Sequence, residues 1–108
     1  MKYLLAFFFL IFGSHAIEAQ TKRALIIGIG AYPPESGWGI IHGDNDVPLI
    51  ADALSKKGFN QDHIVKLVNE QATKKIILKQ FNLLTQKAQI NDIIYIHFST
   101  HGLSLIHI

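Results

Sequence analysis

The chain has 108 residues, a formal net charge of +2 and no cysteine. This length accommodates one small domain, and the missing cysteine excludes both a disulfide framework and a thiol nucleophile within the chain. The basic residues are scattered rather than gathered into a stripe, which argues against nucleic acid as a partner.

Residues 1–19 are predicted to be a secretory signal peptide. Lys2 supplies a positive charge, residues 3–12 form an unbroken apolar run, and small residues follow. About ten apolar residues fall short of the roughly twenty that span a bilayer, so no stable membrane anchor is expected after cleavage. Cleavage after Ala16 or after Ala19 fits the small-x-small rule, and we prefer Ala19. The sequence therefore predicts export to the periplasm or the extracellular space.

The first predicted strand covers residues 22–30, a continuous apolar run that contains Gly28-Ile29-Gly30. These glycines look like the start of a dinucleotide-binding fingerprint. The third glycine is missing, however, and Pro33-Pro34 prevents a helix from starting there, so we reject a nucleotide site. Residues 31–43 are predicted to form a loop. Its Trp38 either lines a substrate cleft or folds back onto the core.

Two helices are predicted on either side of a second strand. The first begins at Asp44-Asn45-Asp46 and ends at Gly58, and the second covers residues 74–88 with Thr73 as its cap. The strand between them covers residues 63–68. Apolar residues recur at helical spacing and predict an inward face on each helix: Val47, Ile50, Ala51 and Leu54 in the first, and Ile77, Phe81, Leu84 and Ala88 in the second.

The third predicted strand covers residues 92–98, which contain a run of β-branched and aromatic residues. Such a run is typical of a central strand that a parallel sheet buries on both faces. The resulting β-α-β-α-β order, with short connections and right-handed crossovers, predicts an α/β fold. Ligands of open α/β sheets bind beyond the carboxyl ends of the strands, so His101 lies where a catalytic group is expected.

Ser99-Thr100-His101-Gly102, placed after this apolar strand, resembles the Ser-Gly-His-Gly motif of the caspase-like cysteine peptidases. Metacaspases and bacterial caspase homologues are the most similar branch, and the likeness extends from Lys22 to Gly102. Thr100 stands where the motif usually has glycine. The resemblance implies a caspase-like open parallel sheet with strand order 2-1-3, truncated after the third strand. Residues 20–102 would then be the N-terminal part of a catalytic domain.

The resemblance also implies a Cys–His dyad, in which a thiolate attacks the peptide carbonyl and histidine moves the proton. His101 matches the family histidine, and Gly102 matches the glycine whose N–H contributes to the oxyanion hole. The alternative for His101 is a loop histidine without chemistry. In the family the cysteine follows the next strand, roughly fifty residues after the histidine. The 108-residue chain alone is therefore expected to be inactive.

Two further residues match the part of the family site that holds the substrate. In metacaspases an aspartate of an Asn-Asp pair lines the S1 pocket, which Asn45-Asp46 matches, and Ser99 matches a serine that contributes there. A carboxylate in S1 implies Lys or Arg at P1. Residues 40–42 contain no arginine of the kind that caspases use to hold aspartate. The alternative is that Asp44 or Asp46 serves only as an N-cap, worth about 1 kcal/mol.

No metal site is expected, because His97 and His101 lack a third ligand at a familiar zinc spacing. His97 is expected to pack under a helix. No cofactor is evident, and a calcium requirement stays open.

Residues 103–108 read Leu-Ser-Leu-Ile-His-Ile. The codons CTG-TCT-CTT-ATA-CAC-ATC would encode them and resemble a transposon end used in sequencing libraries. We therefore expect a non-native, adapter-derived tail, and the alternative is a genuine short strand.

Together these features predict an exported caspase-like cysteine endopeptidase that acts on polypeptides. The alternative is a non-catalytic caspase homologue that serves as a binding or scaffolding module.

Overall fold

A computed structural model describes residues 20–101 of the chain. The predicted signal peptide, Gly102 and the 103–108 tail lie outside the described residues. The elements follow in the order β1 (Lys22–Gly28), α1 (Gly43–Lys56), β2 (Ile64–Val68), α2 (Lys74–Lys87) and β3 (Ile93–Ser99). This order confirms the predicted α/β fold.

The three strands form one parallel sheet in the order β2-β1-β3, as predicted. Ala24 in β1 is the partner of Ile64 in β2 and of Tyr95 in β3, so the strands lie nearly level. β1 occupies the centre and is buried from Ala24 to Gly28. A buried central strand is what the continuous apolar run in β1 indicates.

Alternate residues of β1 contribute to two separate cores, one on each face of the sheet. Ala24 and Ile26 pack under α1, with Val47, Ala51 and Leu54 of that helix. Leu25 and Ile27 face the other side. They form a cluster with residues from the segment after β1, from β2, and from α2 and the segment before it: Ile29, Tyr32, Leu67, Ala72 and Ile77.

The inward stripe of α2 is shorter than predicted. Phe81 and Leu84 are partly buried against the core, but Ala88 is exposed. The helix ends at Lys87, and Ala88 already has extended backbone angles, which turn its side chain away from the stripe. Thr73 caps the other end as predicted, since its hydroxyl accepts a hydrogen bond from the Ile76 N–H at 3.2 Å.

The prediction that β3 is buried on both faces is wrong for the described residues. Ile93, Ile94, Tyr95, Ile96 and Phe98 are between 38% and 41% exposed. The reason is position: β3 is an edge strand, whose only neighbour within residues 20–101 is β1. The apolar composition of β3 reflects a preference for burial that these residues satisfy only in part.

Helix α1 begins one residue earlier than predicted, at Gly43, with His42 as its N-cap residue. Neither Asp44 nor Asp46 is the N-cap, and His42 makes no side-chain capping bond, so the capping alternative for the two aspartates is wrong. Both instead lie in the first turn, where a negative charge interacts favourably with the helix dipole.

The turn before β3 is organised by the carboxylate of Asp92. It accepts hydrogen bonds from the backbone N–H groups of Gln89 at 2.9 Å and Thr21 at 3.2 Å, and from Nε of Arg23 at 3.3 Å. The Gln89 N–H is the main cause of a lowered pKa for Asp92; Thr21 and Arg23 act in the same direction, and burial opposes them. Asp92 thus ties the α2–β3 turn to the start of β1.

Within residues 20–101, neither α1 nor α2 combines the length and the apolar character that crossing a membrane requires.

Candidate active site

The candidate site lies where β1 and β3 end side by side. Gly28 and Ser99 are register partners at the carboxyl ends of these strands, and the Ile29 N–H donates to the Ser99 carbonyl at 3.0 Å. The segment of residues 29–42 that follows β1, here called the β1–α1 loop, therefore starts next to β3. His101 follows β3 by two residues and meets this loop.

The backbone and the ring of His101 both contact the β1–α1 loop. Its backbone N–H donates to the hydroxyl of Tyr32 at 2.7 Å. Its imidazole stacks on Trp38, with ring centroids 4.9 Å apart and planes 27° from parallel. The Tyr32 ring lies 5.1 Å away at a tilt of 48°. His101 is half-buried between two aromatic rings.

The hydrogen bond made by Nε2 shows which nitrogen of the His101 ring carries the proton. Nε2 lies 3.2 Å from the carbonyl oxygen of Gly39. A carbonyl can only accept, so Nε2 must be the protonated nitrogen and the donor. In the neutral ring Nδ1 then carries the lone pair, and a nitrogen with a lone pair can accept a proton as a general base.

Ser99 lies near His101 in the chain but contacts a different histidine. Its hydroxyl is 2.7 Å from Nε2 of His97, which in turn stacks on Tyr95 with centroids 6.4 Å apart. His97, Ser99 and Tyr95 share the α1 face of β3, because their partners in β1 face that helix. The expectation that His97 packs under a helix is met in part, since it is half-buried at this edge.

Asp46 lies in the first turn of α1, three residues after Gly43, and its side chain is exposed. Within residues 20–101 its carboxylate makes no hydrogen bond or ion pair in the structure. Gly43 itself packs against the backbone of Ser99, so the start of α1 and the end of β3 are neighbours. The structure thus places His101, Ser99 and the first turn of α1 at the same edge of the sheet. Gly102 lies outside the described residues.

Asp44 joins a bridge that the sequence did not predict. Its Oδ2 accepts a hydrogen bond from Nδ2 of Asn69 at 3.2 Å, while Oδ1 of Asn69 accepts from the N–H groups of Gly30 at 2.8 Å and Ala31 at 3.2 Å. Asn69 follows β2 directly and has a left-handed φ of 49°. Asparagine adopts a left-handed conformation more readily than most residues. The presence of asparagine directly after β2 is therefore the one sequence signal that points to this bridge. The bridge links the ends of β1 and β2 to the start of α1.

A cleft of about 1130 Å³ opens between the β1–α1 loop and residues 69–73. Tyr32 and Trp38 line it, together with the carboxylate side chains of Glu35 and Glu70. Trp38 is also partly buried against the core cluster on the α2 face. The alternative that Trp38 folds back onto the core is therefore confirmed, and the same side chain lines this cleft. That the cleft binds substrate stays a prediction.

No group of three His, Cys, Asp or Glu side chains within residues 20–101 has the proximity to hold a metal ion. His97 and His101 have different neighbours, with the first bonded to Ser99 and the second held by Trp38 and Gly39.

The family model for the metacaspase, peptidase C14 domain matches residues 22–107. The chain belongs to the metacaspase family. It is 33% identical over 104 residues to Metacaspase-1 of Eremothecium gossypii, a match that covers 83% of this chain and 22% of that protein. It is 36% identical over 89 residues to Metacaspase-1B of Aspergillus oryzae, with 75% of this chain and 20% of that protein covered.

A third metacaspase relative is Inactive metacaspase-4 of Trypanosoma brucei brucei. The identity is 32% over 98 residues, covering 80% of this chain and 27% of that protein. The chain thus spans between a fifth and about a quarter of the curated relatives that it matches. No solved structure matches it.

Proposed function

We propose that this metacaspase chain is the N-terminal part of the catalytic domain of an exported cysteine endopeptidase that cuts after Lys or Arg. The observation that carries the proposal is the setting of His101. It follows the end of β3, and its Nε2 donates to the Gly39 carbonyl at 3.2 Å. A histidine held in one tautomer at the carboxyl end of a parallel strand suits a general base.

In this proposal Nδ1 of His101 accepts the proton of a cysteine thiol, and the resulting thiolate attacks the substrate carbonyl. The ring is then an imidazolium, and the Nε2–H bond to Gly39 persists because the carbonyl accepts from either form. As the peptide bond breaks, the same nitrogen returns the proton to the leaving amine. Gly102 is proposed to donate its N–H to the oxyanion.

The 108 residues contain no cysteine, so in this proposal the thiol belongs to another part of the full-length protein. We therefore expect the purified 108-residue chain to hydrolyse no peptide in a thiol-dependent manner. Hydrolysis of Lys- or Arg-containing peptides by this chain, blocked by iodoacetamide, would contradict the dyad.

The full-length protein tests the role of His101. We expect His101→Ala to reduce kcat by about 10²- to 10⁴-fold, the usual contribution of a general acid–base, with the thermal transition preserved. His63→Ala is the matched control, because His63 precedes β2 at the opposite end of the sheet. Equal losses of activity in the two variants would argue against a catalytic His101.

The Lys or Arg preference is supported by the exposed carboxylate of Asp46 next to the Ser99 strand end. We expect Asp46→Ala to lower kcat/KM for Arg substrates by about 10- to 100-fold, chiefly through KM, because one charge-assisted hydrogen bond is lost. Asp52→Ala is the control on the same helix, because Asp52 forms an exposed ion pair with Lys56. Unchanged Arg kinetics with a lowered Tm would show that Asp46 only stabilises α1.

Export is supported by the charged, apolar and small-residue sequence of residues 1–19. N-terminal sequencing of the secreted protein should begin at Gln20. Recovery of intact Met1 from the cytoplasmic fraction alone would contradict export.

A non-catalytic binding module is the second candidate. Thr100 replaces the usual glycine next to His101, and one relative carries the name Inactive metacaspase-4. The coding sequence of the full-length gene decides between the two candidates. A cysteine after the strand that follows β3 favours the enzyme, and another residue at that position favours the binding module.

A further inference from the structure

We propose that Trp38 is a positioning residue for the imidazole of His101, an inference that rests on the proposed function. The indole stacks on that ring at 4.9 Å and 27° and lies in the same loop as the Gly39 carbonyl. The indole fixes the plane of the imidazole, so that Nε2 stays hydrogen-bonded to the Gly39 carbonyl and Nδ1 faces the thiol.

The indole supplies a different kind of restraint from the two hydrogen bonds. The Tyr32 hydroxyl anchors the backbone of His101 and does not by itself determine the two side-chain torsions. The bond from Nε2 to Gly39 holds one atom of the ring and by itself permits rotation about that bond. A flat indole against the ring face removes this rotation, and it also excludes water from that face.

Trp38 can do this because it is itself held from both sides. Its side chain packs against the core cluster on the α2 face. Its backbone N–H donates to the hydroxyl of Ser36 at 3.2 Å, and that hydroxyl donates to the Pro33 carbonyl at 2.7 Å. Gly37 completes the turn with a left-handed φ of 77°, which a glycine adopts without strain. The Pro-Pro-Glu-Ser-Gly-Trp-Gly segment thus presents the indole at a fixed place.

The kinetic test uses the full-length protein with Trp38→Leu and Trp38→Phe. We expect Trp38→Leu to lower kcat by about 10- to 100-fold with a much smaller change in KM, because a misplaced base slows the chemical step while leucine keeps that part of the cleft apolar. Trp38→Phe keeps a flat ring and should restore most of the loss. A higher kcat in Trp38→Leu would overturn the proposal, because it would mean that the indole obstructs His101.

Ile41→Ala is the matched control. Ile41 packs on the same core cluster from the same loop, and its aliphatic side chain can offer His101 neither a stacking ring nor a hydrogen bond. Comparable losses of kcat in Ile41→Ala and Trp38→Leu would reduce Trp38 to a packing residue and overturn the proposal.

A nuclear magnetic resonance measurement separates this inference from the proposed function. The ring protons of His101, assigned with His101→Gln, should be shifted by the ring current of Trp38 and should move in Trp38→Leu but not in Ile41→Ala. Failure of the proposed function appears as a wild type that hydrolyses no peptide while this shift is present. Absence of the shift in the wild type overturns the positioning role, whatever the activity.

Discussion

Asp92 shows how one carboxylate organises a turn through backbone donors. Its pKa is lowered from 3.8, first by the N–H of Gln89. A lowered pKa means that the folded chain binds the proton less well than the unfolded chain. The stabilisation is therefore complete above the unfolded pKa and is lost as the pH falls through the folded one.

We expect Asp92→Asn to lower the Tm at neutral pH more than Asp52→Asn does. Asp52 forms an exposed i,i+4 pair with Lys56, and such pairs contribute little. The gap between wild type and Asp92→Asn should narrow as the pH falls below 3.8, where the carboxyl is protonated first in the unfolded chain, and should be smallest below the lowered pKa of the folded chain. Thermal melts of the three proteins between neutral and acidic pH check this. A gap that stays constant with pH would show that the charge of Asp92 does not matter.

The sequence predicted where His101 lies relative to β3, but not the residues that hold its side chain. The place of His101 follows from the apolar strand before it. Tyr32 and Gly39 are 69 and 62 residues away in the chain, and Gly39 acts through a backbone carbonyl that every residue possesses. No local pattern distinguishes such a contact.

The junction of α1 with β1 and β3 depends on one residue without a side chain. A Cβ on Gly43 would collide with the carbonyl of Ser99 and would lie 2.8 Å from that of Ile29. Both are backbone atoms that cannot move aside. Helix α1 can therefore approach the sheet closely only because residue 43 is glycine.

We expect Gly43→Ala to destabilise the protein by about 1–3 kcal/mol or more, the range of overpacking, although alanine favours helix. Gly39→Ala is the control for stability, because a Cβ there meets no atom within 4 Å. Chemical denaturation of both variants measures the difference. Equal stability of the two would mean that α1 shifts without cost.

The helices were predicted more accurately than the burial of the strands. Thr73 and the spacing from Ile77 to Leu84 are local signals, and both are realised in α2. Burial of β3 is not local, because it depends on whether another strand pairs with its second edge. The apolar sequence of β3 indicates that it suits burial on both sides, but not that this burial is achieved.

The molecule as a whole carries an apolar edge. β3 leaves N–H and C=O groups along one side without a partner strand among the described residues, and five of its apolar side chains are 38–41% exposed. Such an edge is a template for pairing between molecules. With about eighty residues and no disulfide, the core also provides little net stability.

We expect the isolated 108-residue chain to associate or to fold only partly in solution. Replacing Ile94 and Ile96 by Lys should reduce association, since charges on an edge strand oppose pairing. Leu49→Lys is the control, because Leu49 is 70% exposed but lies on α1. Light scattering and amide exchange check this. A monodisperse wild-type monomer with protected amides along β3 would contradict it.

The β1–α1 loop is closed at its base, where the Ile41 N–H donates to the Gly30 carbonyl at 2.9 Å. Even doubling the length of a closed loop costs only roughly 0.6 kcal/mol of chain entropy. Inserting two residues after Glu35 should therefore lower the melting temperature mainly through the lost contact of Trp38 with the core, and only slightly through the added length of the loop. Changes of loop length during evolution can thus move the indole at little cost in chain entropy.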